Sequence, residues 1–337
     1  MRSLVLTAAM LLLAPAGLAA AADPAPGKLK GGEIYTLPQW FKPSFLDFPE
    51  DVAEARKQGK HVMVFMHLDE CPYCARMLKE SFVAGDNRAF MQKHFDVIGV
   101  NVRGSTEATW TDGTKYTERT LTRHLRTFGT PTIVFLDLQG KVVLQLGGYR
   151  DPRTLREALE YVQSGSYRDR PYAAYAASRE QSAVYTLRDH PQFQSVTYLK
   201  GYRKPLAVLF EDARCAECAR FHEKTLAHPD VIAEMKRFTF IRLDADSTRP
   251  IVELDGSTTT AAQWAKALKL THRPALVLFD DGREIFRVEG ILYHFHFKEV
   301  LRYVSGGHYK QFESASAYNA ARRQELLRRG VDIDYSE

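Results

Sequence analysis

The sequence predicts a duplicated α/β fold in which each copy is a mixed β-sheet with helices on both faces. Its 337 residues amount to about two domains of ordinary size. Stretches of the first half recur in the second half, and within each copy short apolar β-rich runs alternate with runs of helical periodicity. All four cysteines fall into two Cys-x-x-Cys pairs, one in each copy.

The repeat is visible in three matched stretches of the chain. MVFMHLDECPYCARMLKESF from Met63 matches AVLFEDARCAECARFHEKTL from Ala207 at an offset of 144 residues. GTPTIVFLDLQGKVV matches HRPALVLFDDGREIF at an offset of 143, and EYVQSGSY matches RYVSGGHY at an offset of 142. A drift this small is what loop deletions in a duplicated domain produce, so we expect two copies of one fold.

Strand and helix signals in the first copy follow the order βα(α)βαββα. Residues 62–66 form an apolar β-rich run, and Met77, Leu78 and Phe82 then recur at helical spacing, so the first cysteine pair begins a helix. Asp86 predicts the N-cap of a further short helix. The remaining elements are, in order, a strand at 97–102, a helix through Leu121, Leu125 and Phe128 that Gly129 closes, strands at 132–136 and 141–146, and a helix from Asp151 to Val162.

The first 22 residues predict a secretory signal peptide. Arg2 precedes an apolar run over residues 4–18, and small residues near Ala20 and Ala22 suit cleavage. A membrane anchor needs roughly 18 or more uninterrupted apolar residues, and Pro15 and Gly17 interrupt this run. We therefore expect an exported protein, soluble in the periplasm without stable membrane insertion, where thiol pairs can persist oxidised.

The expected domain boundaries follow from the repeat. They are a signal peptide at 1–22, a first domain at 23–168, a linker at 169–194, a second domain at 195–310 and a C-terminal helical tail at 311–337. The linker is predicted either to pack in part as a helix or to act as a hinge, and the arginines of the tail (Arg322, Arg323, Arg328 and Arg329) are predicted to form a solvated face. The 46 basic and 41 acidic residues form no basic patch, so no nucleic acid is expected as a partner.

The two cysteine pairs carry the predicted chemistry. At a strand-to-helix junction the first sulfur, Cys71, would lie over free backbone N–H groups and the positive end of the helix dipole, which stabilise a thiolate. Cys74 would then attack a mixed disulfide formed at Cys71 and release the reduced substrate. In the Gly-Thr-Pro-Thr stretch, a cis Thr130–Pro131 bond would present backbone to a substrate strand beside the sulfurs.

The cysteine and proline motifs resemble those of the thioredoxin superfamily. CPYC with TPT carries the resemblance in the first copy, and CAEC with RPA carries it more weakly in the second. The NVRGSTEATWTDG insert and the GGYRDPRTLREALEYVQSGSY ending resemble SoxW-type periplasmic thioredoxins, which usually have one such domain. The resemblance implies two thioredoxin-like domains with attacking Cys71 and Cys215, resolving Cys74 and Cys218, cis-prolines Pro131 and Pro274, and substrate contacts at Pro72, Tyr73, Thr130 and Arg273.

Two departures from the family pattern concern charge. The buried acid that thioredoxins hold six positions before the first cysteine is replaced by Phe65 and Leu209, so proton handling must differ. The usual preceding tryptophan is replaced by Glu70, which should disfavour the Cys71 thiolate, and by Arg214, which should favour the Cys215 thiolate. Glu217 would partly offset Arg214, and the two sites are expected to differ in potential.

Other interpretations of the cysteines and histidines stay open. Both pairs could be structural disulfides, although so short a loop stabilises little by chain entropy, or together they could hold zinc. His67 could shuttle protons but more often such a residue is packed. His294 and His296 lie two apart at a predicted helix start, where their side chains diverge, so they are discounted as a metal pair.

Together these features predict an exported thiol-disulfide oxidoreductase that reduces protein disulfides or small sulfur-carrier thiols, without organic cofactor or metal. The resemblance implies a membrane thiol-electron transporter of the DsbD/CcdA type as electron donor. Oxidase or isomerase activity is one alternative, and a binding module or chaperone that does not turn over is another. A relay in which one domain reduces the other is a further hypothesis.

Overall fold

The computed structural model describes residues 25–179 and 183–336, so the predicted signal peptide lies outside the described residues. Each half is built on a four-stranded sheet. The strands are β1 Leu29–Lys30, β2 His61–His67, β3 Phe95–Asn101, β4 Glu107–Thr109, β5 Lys115–Thr117, β6 Thr132–Leu136, β7 Val142–Gly147, β8 Leu206–Glu211, β9 Thr239–Asp244, β10 Pro250–Val252, β11 Thr258–Thr260, β12 Ala275–Asp280, β13 Arg283–Glu289 and β14 Ile333–Asp334.

Eleven α-helices lie among the described residues. They are α1 Phe48–Lys57, α2 Pro72–Arg76, α3 Asn87–His94, α4 Glu118–His124, α5 Pro152–Gln163, α6 Tyr172–Ala177, α7 Cys218–Arg220, α8 Pro229–Met235, α9 Ala261–Ala267, α10 His294–Ser305 and α11 Ala315–Arg328. π-Helical turns at Met77–Ser81 and Phe221–Leu226 continue α2 and α7. Among these described residues, no helix is both long and apolar enough to cross a membrane.

The two sheets have the same topology. The strand orders are β3-β2-β6-β7 and β9-β8-β12-β13; in each sheet the first pair is parallel and the other two are antiparallel. Side chains of a strand alternate between faces, and both faces are covered. Met63 and Phe65 pack on the face that carries α2, α3 and α5, while Val62 and Val64 pack on the opposite face with α1 and α4. The predicted duplicated fold of mixed sheets with helices on both faces is confirmed.

Three local predictions need correction. The sequence pattern missed α1, which Asp47 caps through the Glu50 N–H, and the short β4–β5 hairpin, which begins in the insert and ends just after it. Helix α4 ends at His124, so Gly129 does not close it. Phe128 instead crosses to the other half, where its ring lies 5.6 Å from that of Phe286.

The two halves pack through equivalent surfaces. A small cavity between them is lined by Tyr73, Arg76 and Tyr149 of the first half and by their repeat counterparts Glu217, Arg220 and Ile291, together with Tyr293. The backbones also come close at equivalent glycines: a Cβ on Gly148 would lie 2.3 Å from the Glu289 carbonyl oxygen, and one on Gly290 would lie 3.7 Å from the Tyr149 carbonyl oxygen. The helices that carry the two cysteine pairs therefore meet at one interface.

The linker and the tail both pack against the domains. Helix α6 returns to the first half, where Tyr172 and Tyr175 join the core, so the helical interpretation of the linker holds for this segment. The later part of the linker packs on the second half, with Phe193 stacked on Phe240 at 5.6 Å. The tail helix α11 is anchored on the second half by Tyr318, and β14 pairs in parallel with β1.

Candidate active sites

Site 1, the Cys71–Cys74 pair, lies at the predicted strand-to-helix junction. The two sulfurs form a disulfide, and Cys71 occupies the N-cap of α2, where its Sγ accepts the Cys74 N–H at 3.1 Å. Cys71 is 5% exposed and Cys74 is fully buried. A helix N-terminus and a direct N–H donor both stabilise negative charge, so reduction of this pair leaves Cys71 as the better thiolate.

The loop that contains Pro131 faces the same sulfur. The Thr130–Pro131 bond is cis, as predicted, and the Thr130 hydroxyl donates to Cys71 Sγ at 3.4 Å. Cys71, Pro72 and Thr130 line a cavity of about 1190 Å³ that continues between the first domain, the second domain and α11. Cys71 is thus the sulfur that faces open space, and Pro72 and Thr130 stand beside it as the sequence predicts for substrate contacts.

Tyr73 has different surroundings from those predicted. Its side chain is buried in the interface, where its hydroxyl accepts the Tyr293 N–H at 2.8 Å and its ring stacks on the Tyr293 ring at 5.2 Å. Burial raises its hydroxyl pKa. Tyr73 also lines the large cavity, but its hydroxyl and ring are engaged with Tyr293, so in this structure Tyr73 joins the two domains.

Glu70 and the C-terminal tail form an ion pair next to Cys71. Arg323 Nη1 donates to Glu70 Oε2 at 2.6 Å, and the Arg322 guanidinium bonds Glu325 at 2.7 Å. The prediction of a solvated arginine face is therefore wrong for Arg322 and Arg323, whereas Arg328 and Arg329 are exposed. Because Arg323 balances the Glu70 charge, Glu70 does not act on the Cys71 thiolate as an isolated carboxylate.

Two histidines near site 1 are packed side chains. His67 is buried, its Nδ1 lies 3.0 Å from the Tyr35 hydroxyl, and burial lowers its pKa. His296 lies at the interface between Tyr73 and Tyr335, with its ring 4.3 Å from that of Tyr335. Neither histidine belongs to a metal site: across residues 25–179 and 183–336, no three His, Cys, Asp or Glu side chains are grouped to hold an ion.

The burial of His296 predicts a loss of stability in acid. Burial lowers the pKa of His296 to about 4, whereas an unfolded histidine has a pKa of about 6.5. As the pH falls from 6.5 to 4 the unfolded chain binds a proton that the folded chain does not, so the free energy of unfolding drops by up to about 3 kcal/mol. His296→Phe should reduce the loss measured by urea unfolding at pH 7 and pH 5; an undiminished loss would contradict this.

Site 2, the Cys215–Cys218 pair, differs from site 1 in its backbone. The pair is a disulfide, with Cys215 4% exposed and Cys218 fully buried. Helix α7 begins only at Cys218, so Cys215 precedes the helix by three residues instead of capping it, which corrects the predicted helix start. Tyr185 of the linker packs in one cluster with both cysteines, and its N–H donates to the Ala213 carbonyl at 3.0 Å.

The charged residues predicted at site 2 are paired with one another. The Arg273–Pro274 bond is cis, and Arg273 Nε lies 3.4 Å from Asp212 Oδ2. Arg214 pairs with Asp246 at 2.7 Å, and Glu217 lies 3.5 Å from His272. The expected electrostatic contrast between the sites is therefore weaker than the sequence suggests, since these charges are compensated. Arg273 is partly buried in this network rather than presented on an open groove.

Sequence reasoning missed a buried polar pair beside site 2. Glu211 is fully buried at the end of β8, and its Oε1 lies 2.8 Å from His222 Nε2. The Tyr185 hydroxyl donates to the other carboxylate oxygen at 3.4 Å. The signal was present in the repeat, because Glu211 and His222 align with His67 and Leu78, two positions where the copies differ in chemistry.

Comparison with known proteins gives a family match in both halves. The family model described as thioredoxin-like domain matches residues 48–163 and 193–305. None of the curated proteins compared with the chain matches it.

Several solved structures are similar to one half of the chain. A thioredoxin-fold protein from Helicobacter pylori is 24% identical, covers 40% of this chain and 91% of its own, and has a TM-score of 0.33. A thioredoxin from Thermus thermophilus is 29% identical over 34% of this chain and 83% of its own, with a TM-score of 0.28. A disulphide isomerase from Xylella fastidiosa Temecula1 is 19% identical, covers 39% of this chain and 87% of its own, and has a TM-score of 0.23.

Proposed function

The chain belongs to the thioredoxin-like domain family, and from this premise we propose that it is an exported reductase of disulfides that meets its substrates at site 1. Two Cys-x-x-Cys pairs on two thioredoxin-like domains make it a thiol-disulfide oxidoreductase. The direction of electron transfer, the cellular location and the substrate class belong to the proposal.

The surroundings of Cys71 carry the proposal. Its sulfur accepts one backbone N–H and the Thr130 hydroxyl, and it lines the large cavity. Cys215 lines neither of the two cavities described above and packs in a buried cluster with Tyr185. A disulfide that enters the cavity reaches Cys71 directly, so site 1 is the exchange site for substrates that use this cavity.

The reaction proceeds by two thiol exchanges. The Cys71 thiolate attacks one sulfur of the substrate disulfide, forming a mixed disulfide and releasing the first substrate thiolate, which takes a proton from solvent. The Cys74 thiol loses its proton and attacks Cys71 Sγ, which re-forms the Cys71–Cys74 disulfide and releases the second substrate thiolate. The substrate gains two electrons, and the pair loses two.

The reducing direction is supported by weak stabilisation of the thiolate. A strongly stabilised thiolate makes a pair an oxidant, as at potentials near −120 mV, whereas ordinary reductases lie near −270 mV. Besides the helix N-terminus, Cys71 accepts one backbone N–H and one hydroxyl, and the guanidinium of Arg323 is occupied by Glu70. The predicted signal peptide supports a periplasmic location, where reduction of the pair requires a membrane thiol-electron transporter of the kind the resemblance implies.

A redox titration tests this proposal. The mature protein is equilibrated with dithiothreitol and glutathione buffers, and the free thiols of each pair are counted by alkylation and mass spectrometry. We expect the site 1 pair to titrate above about −300 mV and well below −120 mV. A value below about −300 mV would indicate an inert structural disulfide, and a value near −120 mV would indicate an oxidase.

A further inference from the structure

Glu211 and His222 form a buried ion pair or hydrogen-bonded pair that the exchange steps above do not use. Both side chains are buried, at 0% and 7% exposure, and Nε2 to Oε1 measures 2.8 Å. Placing a carboxylate in a protein core is costly unless it has partners, and here its partners are an imidazole and a tyrosine hydroxyl. The tyrosine belongs to the same buried cluster as the two site 2 cysteines.

The helix places His222 beside Cys218. Helix α7 and the π-helical turn after it form one continuous helical segment, on which His222 follows Cys218 by four residues. Residues four apart on a helix share a face, with Cβ atoms about 5–6 Å apart. Both side chains point into the protein, since Cys218 is fully buried. The imidazole is therefore the basic side chain next to the second cysteine.

The strand places Glu211 against the same helix. Alternate residues of a strand share a face, so Glu211 lies on the face of Leu209, which packs in one cluster with Phe221. Tyr185 closes the arrangement from the linker, because its ring packs on Cys218 and its hydroxyl donates to Glu211. Thiol, imidazole and carboxylate thus follow one another from helix to strand, the order in which a base activates a thiol and a carboxylate orients the base.

We propose that His222, held in position by Glu211, accepts the proton of the Cys218 thiol when site 2 completes a disulfide exchange. The inference rests on the proposed exchange chemistry. In a mixed disulfide between Cys215 and a substrate thiol, Cys218 gives its proton to His222 and attacks Cys215 Sγ. The new Cys215–Cys218 bond releases the substrate thiolate, which takes up a proton, and the imidazole returns its own to solvent.

Site 1 has no equivalent arrangement. The residues at the matching positions are Leu78, which cannot accept a proton, and His67, whose Nδ1 faces the Tyr35 hydroxyl rather than a carboxylate. The second step of exchange at the two sites should therefore respond differently to pH, with site 2 active at lower pH.

Other charged or titratable groups also face this cluster. Tyr185 and Arg188 interact with Glu211, His190 interacts with His222, and burial together with the Glu211 charge raises the pKa of Tyr185 to about 12. Groups from the adjoining elements are paired with one another; they are Asp212 with Arg273, Glu217 with His272, and Arg188 with Glu223. None of these pairs places a second base on the helical face that Cys218 and His222 share.

Two-step release of 5-thio-2-nitrobenzoate measures the proposed proton transfer. The parent protein carries Cys71→Ser and Cys74→Ser, so that only site 2 reacts. After reduction, a small excess of 5,5′-dithiobis(2-nitrobenzoate) gives a first release when Cys215 attacks and a second when Cys218 resolves the mixed disulfide. The second rate is followed from pH 5 to pH 10 in the parent and in His222→Leu, which copies site 1, and Glu211→Gln.

We expect both variants to slow the second release at pH 7 about tenfold or more. The pH at which the rate of this release is half-maximal should rise toward ~8.5, the pKa of an ordinary thiol. The first release should stay within about twofold of the parent. Lys224→Gln, which removes an exposed charge from the same helical segment, is the matched control and should change neither release.

Each other outcome has a definite meaning. A second release with unchanged rate and midpoint in both variants overturns the role of the pair and leaves the proposed function standing. A parent midpoint at or above about 8.5 overturns it without any variant, even where a variant fails to fold. Absence of the first release in the parent instead overturns exchange at site 2 itself, and with it this inference.

Discussion

Replacing Cys71 with serine is expected to reduce disulfide reduction to the uncatalysed rate. The thiolate is the attacking group in exchange, and a serine hydroxyl is neither ionised nor able to form a disulfide at this position. The change is small in volume and leaves the buried Cys74 in place, so folding should be preserved. Reduction of insulin disulfides by the variant, with dithiothreitol as the electron source, measures the effect.

Cys215→Ser is the matched control for this result. Because Cys215 packs in a buried cluster with Tyr185 and does not line the large cavity, the variant should retain most of the wild-type rate. No acceleration of insulin reduction by the wild-type protein would favour a binding module or chaperone that uses the cavity without turnover. Loss of activity in Cys215→Ser alone would instead make site 2 the exchange site.

Gly148→Ala is expected to destabilise the protein by about 2–4 kcal/mol, because it adds a Cβ where the two halves meet. Gly148 has a φ of +89°, which side-chain-bearing residues rarely adopt, and its new Cβ would lie 2.3 Å from the Glu289 carbonyl oxygen. The contacting atom is backbone of the other domain, so relief requires the domains to shift apart. Urea unfolding measures the loss, and small-angle scattering should show a larger radius of gyration.

Gly113→Ala separates the two causes of that loss. Gly113 also has a positive φ, +82°, but a Cβ there meets no atom within 4 Å. Its substitution should cost about 1 kcal/mol from backbone strain alone and leave the radius of gyration unchanged. Equal losses at the two glycines would mean that the close approach of the halves at Gly148 is absent in solution.

The repeat explains why so much of the fold was predictable. Strands such as β2 and β6 are short apolar runs bounded by polar turns, and the same signals occur twice, so each copy supports the interpretation of the other. Helix α1 was missed because its apolar face is narrow, with Val52 and Ala55 as its buried residues beyond the first turn. The end of α4 was misplaced because Phe128 was counted as part of the helix's apolar face, whereas its ring contacts Phe286 of the other domain.

The sequence by itself determined the chemistry of the two sites. Cysteines three residues apart after a buried strand, and a proline 57 or 56 residues beyond the second cysteine, are local patterns that need no knowledge of distant contacts. The Thr130–Pro131 and Arg273–Pro274 bonds are cis, and both cysteine pairs are disulfides in the folded protein.

Only the tertiary structure decided which residues surround each sulfur. Arg323 reaches Glu70 from 253 residues away, Tyr73 is bonded by Tyr293 of the second domain, and Tyr185 of the linker packs in one cluster with Cys215. Such pairings depend on how complete domains and their connecting segments pack, which hydrophobic periodicity does not encode. The repeat made the two sites look alike, and the packing of the linker, the tail and the buried Glu211 made them different.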